Sequence, residues 1–188
     1  GLRMLLGELN PDDTIGIVVY AGAAGTVLDP TPVSERSRIE AALNRLSAGG
    51  STAGGEGLRQ AYALAEQNFD QTAVNRVMLL TDGDFNVGIT NDERLEDFVA
   101  RKRETGIYLS VMGFGRGNYN DQMMQAIAQA GNGIAGYVDS VAEARRLMVE
   151  DLSGNLFAIA NDVKIQVEFN PARVAEYRLI GYETRLLD

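Results

Sequence analysis

Apolar residues along this chain follow two periods, and the switch between them outlines the elements. Residues 14–20, TIGIVVY, form a short β-branched run bounded by turn residues, which predicts a buried strand. Residues 76–80 (RVMLL) and 107–113 (IYLSVMG) read the same way, with a shorter strand at 136–139 and a weaker one at 26–28. Between them the period lengthens to that of a helix. Residues 2–9 are amphipathic and begin without a cap, and residues 38–46 carry the helical pattern behind Ser34 as the expected N-cap. Further helices are expected at 58–69, 92–105, 120–130 and from 141 to about 160, with Met123, Met124 and Ile127 on the apolar side of the fifth.

Alternation of short apolar strands with helical spacers predicts an α/β fold. It is doubly wound and Rossmann-like, with a mainly parallel sheet covered by helices on both faces. Ligands of such sheets bind at the carboxyl ends of the strands. The loops to inspect are therefore 21–25, 47–57, 81–91 and 113–120. The tail is different. Residues 163–169 (VKIQVEF) alternate apolar and polar positions as a half-exposed strand does, Asn170-Pro171 breaks the run, and residues 176–182 suggest another strand. A boundary near Asn161 is expected, with residues 1–160 as the α/β domain and 161–188 as a short C-terminal β extension.

Composition narrows the chemistry. The net charge of −9 and pI near 4.6 argue against electrostatic capture of nucleic acid. No apolar run is long enough for a membrane span. Cysteine and histidine are both absent, which removes thiolate sites, disulfides and the usual general base. A bound metal must then be held by oxygen, as Mg2+, Ca2+ or Mn2+.

Two motifs could supply such oxygens. Ser51-Thr52 sits in a Gly-rich loop, SAGGSTAGGEG, just before a helix, where a hydroxyl can coordinate a hard cation or cap the helix. The loop has no lysine and is not a Walker nucleotide loop. Leu79-Leu80-Thr81-Asp82-Gly83-Asp84 places two carboxylates at the end of a buried strand, where Asp-Gly also serves as ordinary turn chemistry. Two other matches are weaker. Residues 131–136 fit G-x-G-x-x-G but follow a helix and precede a strand, the reverse of a dinucleotide site. Asp82 to Glu93 has the spacing of a calcium-binding EF loop, yet Val87 stands where that loop needs glycine. The basic run Arg101-Lys102-Arg103 reads as a solvated face, and Tyr119 and Asn120 as loop polarity.

Taken together, an apolar helix, then GGST-x-GG-x-G-L, then a strand ending in LLTDGD resembles the von Willebrand factor type A domain. LTDGDFNVG and the Gly-Tyr-Val-Asp segment before the last helix are similar to a bacterial subgroup of that family. The resemblance covers roughly residues 1–160, and the tail resembles the segment that follows the domain in the same subgroup. It implies a metal ion-dependent adhesion site with Thr52 and Asp82 as ligands, and Ser51 and Asp84 in the outer shell. It also implies Mg2+, or Ca2+ or Mn2+, in the full domain, and a protein partner whose Asp or Glu carboxylate completes the coordination. The cell envelope or an extracytoplasmic location is favoured by the resemblance alone.

One departure matters. The family's Asp-x-Ser-x-Ser loop is missing. The nearest match, Asp151 to Asn155, follows a helical pattern and reads as a helix ending near Gly154. The expectation is a domain whose first strand and first metal loop lie upstream of Gly1, so that this chain binds Mg2+ weakly or not at all. The leading reading is a metal-dependent protein-binding module of the adhesion or scaffold class, not an enzyme. The competing readings are a hydrolase or phosphotransferase using Asp82 and Asp84 with a metal, and a structural domain without one.

Overall fold

The computed structural model describes residues 2–20, 25–46, 54–82, 92–114, 121–151, 167–174 and 176–178. The chain divides into two compact units, Gly1–Phe157 and Ala158–Asp188.

The first unit opens with helix α1, Leu2–Leu5, shorter than the expected 2–9. The chain tightens instead into turns, where the Gly7 and Glu8 amides donate to the carbonyls of Met4 and Leu5. Strands β1, Thr14–Val19, and β2, Gly25–Pro32, pair antiparallel, with Thr14 opposite Pro32 and Val19 opposite Gly25. The expectation that residues 14–20 join a parallel sheet is corrected here. Residues 20–24 are too few for a crossover, so the chain can only turn back on itself. The weak strand expected at 26–28 grows to the full length of its partner for the same reason. Ser34 is not an N-cap. It lies in a single 3-10 turn, Val33–Glu35, ahead of helix α2, Arg36–Arg45. Main-chain bonds from Val33 to the Asp13 carbonyl and from Ser34 to the Pro11 carbonyl hold this entry without a side-chain cap.

Helix α3, Gly54–Gln67, leads to β3, Asn75–Thr81, then α4, Asp92–Glu104, and β4, Ile107–Phe114. Helix α5, Asp121–Ala130, and β5, Ala135–Val138, follow. These three strands form a parallel sheet in the order β3-β4-β5, with Asn75 opposite Ile107 and Val111 opposite Ala135. Among the described residues no ladder joins β1 to β3, so the strands lie in two sheets.

Helices cover both faces of the parallel sheet, as expected of a doubly wound fold. On one face Leu79, Leu109 and Val111 pack with Leu58 and Tyr62 of α3, Leu95 and Val99 of α4, and Met124 and Ile127 of α5. On the other, Met112 and Val138 pack with Ala144, Leu147 and Met148. These last residues belong to helix α6, Val141–Arg145, capped by the Ser140 hydroxyl, and to the π-helical turns Arg146–Asp151 that continue it. Asp151 is thus helical, and the rest of the Asp151–Asn155 match lies outside the described residues. The hairpin packs a smaller core on α2 and on the turn after α1, with Leu28 clustered with Leu6, Ile39 and Ala42.

The G-x-G-x-x-G run has a packing reason. A Cβ at Gly133 would overlap the Leu109 carbonyl oxygen, one at Gly131 would stand 2.6 Å from the Leu109 Cβ, and one at Gly136 would stand 2.6 Å from Leu147. The glycines let the chain leaving α5, through Asn132 at a φ of 52°, lie directly on β4.

In the second unit, Asn170 organises a turn by accepting from the Ala172 amide at 2.9 Å, and the Phe169 and Tyr177 rings lie 4.5 Å apart. Residues 167–169 and 176–178, parts of the two expected tail strands, form no ladder among the described residues. The remainder of those strands lies outside them.

Candidate functional site at the carboxyl edge of the sheet

The alternation of β3 turns Leu79 and Thr81 inward, where they are 4% and 5% exposed. Asp82, the first residue past the strand, is exposed. A strand with alternate residues buried thus delivers one carboxylate to solvent at its carboxyl end, where an open α/β sheet binds its ligands. Ser51, Thr52 and Asp84, the other residues singled out for metal binding, lie outside the described residues, as do Tyr119 and Asn120. The first described residue after Thr52 is Gly54, buried at the start of α3.

Tyr20 connects these elements, and the sequence reading gave it no role beyond ending a strand. Its hydroxyl donates to the Leu80 carbonyl and shares a second hydrogen bond with the Thr81 side chain. Its Cβ sits where a side chain at Gly57, in the first turns of α3, would collide with it. The ends of β1 and β3 and the beginning of α3 therefore meet at one edge. Burial raises the Tyr20 pKa above its ordinary value; the Thr81 hydrogen bond opposes this, and the nearby Asp82 charge adds to it. The hint in the sequence was position, since an aromatic closes the apolar run just before Ala21-Gly22-Ala23-Ala24-Gly25.

Behind this edge Leu80 and Phe114 line an open apolar recess of about 380 Å³ together with Leu2, Arg3, Leu43 and Leu46. The donors described at the edge are all oxygens, which suits a hard cation. No group of three acidic, histidine or cysteine side chains that could hold a metal occurs among the described residues. No described helix is long and apolar enough to cross a membrane.

Comparison with known proteins agrees with this architecture. The sequence model of the von Willebrand factor type A domain matches residues 2–153, and a model described as "Uncharacterized protein YfbK, C-terminal" matches residues 154–188. YfbK of Escherichia coli (strain K12) is 46% identical over 186 residues, covering 99% of this chain. The chain spans 32% of the length of that relative. Among solved structures, the conserved hypothetical protein BatB from Bacteroides thetaiotaomicron superposes with a TM-score of 0.67 at 23% identity, covering 81% of this chain and 83% of that one. Proximal thread matrix protein 1 from the mussel byssus, with a zinc-occupied MIDAS motif, gives 0.62 at 21% identity, covering 82% of this chain and 39% of that one. At these identities the structures speak to the fold alone.

Proposed function

The chain belongs to the von Willebrand factor type A domain family, and from that premise we propose that it is a binding module that engages a protein partner through a metal ion at the carboxyl edge of its parallel sheet. The observation that carries this reading is Asp82, an exposed carboxylate set at the end of a parallel strand, its charge felt by Tyr20, which packs on Gly57 of α3. Asp82 would supply the carboxylate ligand and Thr52 a hydroxyl, with Ser51 and Asp84 outside them. A partner's Asp or Glu would supply a further oxygen. Mg2+ suits this donor chemistry best, since it accepts few protein carboxylates and retains water, with Ca2+ or Mn2+ as alternatives. Binding rather than catalysis fits a chain that has neither histidine nor cysteine to act as base or nucleophile.

One carboxylate and one hydroxyl leave most of the charge of a divalent ion uncompensated. The 188-residue chain should therefore bind Mg2+ weakly, and a polypeptide that also carries an Asp-x-Ser-x-Ser loop should bind it more tightly. Calorimetric titration of both, with Asp82→Ala in each, tests the reading. Tight Mg2+ binding indifferent to Asp82→Ala would place the site elsewhere.

A further inference from the structure

Asp82 follows a strand whose outer side has no ladder partner among the described residues. Among the described residues, main-chain bonds hold β3 on one side, to β4. On the other side the described contact at its carboxyl end comes from a side chain, Tyr20. A tyrosine reaches across more than one inter-strand spacing of about 4.8 Å, so a phenol can join two sheets that share no hydrogen-bonded pair of strands.

We propose that Tyr20 is a positioning residue for Asp82: its ring is seated on Gly57 of α3 and its hydroxyl is tied to Leu80 and Thr81, so that it fixes the end of β3 against the start of α3. The proposal rests on the metal reading above and deepens it, because those two elements flank the segments that carry Asp82 and Thr52. The two halves of the side chain have separate tasks. The ring packs against the main core, alongside Leu58 and Tyr62, and phenylalanine would do that equally well. The hydroxyl reaches the last two residues of β3, and phenylalanine could not do that. Gly57 completes the device, because any side chain there would push the ring off its seat.

Tyr20→Phe separates the tasks by keeping the ring and removing the bonds. Hydrogen exchange read by mass spectrometry on the 188-residue chain should quicken over residues 79–82 by about fivefold, the factor that one net hydrogen bond represents. Mg2+ affinity, read by titration with the metal alone, should fall by a similar factor. Thr31→Ala is the control. It removes a buried hydroxyl from β2 that bonds the Asp29 carbonyl, far in sequence from β3, and should lower the melting temperature without moving either readout. Unchanged exchange over 79–82 in Tyr20→Phe overturns the proposal, as does an equal acceleration in Thr31→Ala. Asp82→Ala keeps the two ideas apart. If it leaves Mg2+ binding intact the metal reading fails, while the exchange result still decides whether Tyr20 holds the strand.

Discussion

The hairpin β1–β2 and the parallel sheet β3–β4–β5 lie under the same helix, α3, yet they are built on different terms. Every residue of β1 is exposed or half-buried, and β2 buries only Leu28 and Thr31. In β4 every residue except Tyr108 and Phe114 is buried. The hairpin forms from residues close in the sequence, and one apolar face packed on α2 and Leu6 suffices for it. The parallel strands are joined by helical crossovers, which cover them from both sides. β3 lies between these extremes: Val77, Leu79 and Thr81 are buried in alternation, and the carboxylate of Asp82 stands exposed just beyond its end.

Truncating the same kind of side chain in each sheet should separate the two most widely. Leu109→Ala empties a fully buried position in β4 and should destabilise the chain by about 3 kcal/mol. Ile17→Ala in β1, where the side chain is half-buried, should lose about 1 kcal/mol, scaled down from full burial. Urea unfolding of both variants would measure the gap, and equal losses would show that the two sheets share one core.

A smaller effect sharpens the contrast with pH. Tyr62 is fully buried against Phe98, and its hydroxyl has no hydrogen-bond partner among the described residues. Burial pushes its pKa far above the ordinary value of 10.0, and burial raises Tyr20 as well. For a raised pKa the stabilising term is complete below the unfolded value and is lost as pH climbs past it, because the unfolded chain releases the proton first. The core around Tyr62 should therefore weaken above about pH 10. Tyr62→Phe should add about 1 kcal/mol at neutral pH and move alkaline unfolding upward, as followed by circular dichroism. A variant less stable than the parent at pH 7 would mean that the hydroxyl has a partner after all.

The smallest expected effect is at the edge itself. Asp82→Ala removes an exposed carboxylate and should change stability by less than about 0.5 kcal/mol. Thermal melting without metal would check this. A large loss would assign Asp82 to the fold rather than to a ligand.

β4 was legible in sequence because burial on both faces writes a continuous apolar run, IYLSVMG. The doubly wound fold and the placement of Asp82 followed from such runs and from the family motifs. In the hairpin, residues 14–20 read as a buried parallel strand, but β1 is exposed or half-buried and pairs antiparallel with β2, whose two prolines weakened its own signal. Ser34 has the composition of a cap, but main-chain bonds to Pro11 and Asp13 satisfy that entry instead, and no local pattern reports a contact across twenty residues. Tyr20 was missed for the same reason. Its importance comes from meeting Gly57 and Leu80, which are remote in sequence and adjacent only after folding.

The approach of Gly133 to β4 also bears on how freely the sequence can drift. The Leu109 amide donates to the Gly131 carbonyl at 3.0 Å, and the Val111 amide to the Ile134 carbonyl at 2.8 Å. The alignment of β5 on β4 is thus set by backbone against backbone before β5 begins. Its four residues, Ala135–Val138, need not encode their own register, an obligation most strands discharge through the pattern of their side chains. Substitution at Ala135 or Tyr137 should shift no neighbour out of line, whereas a single methyl at Gly133 would displace the whole strand. The information that places β5 is held in a residue with no side chain at all.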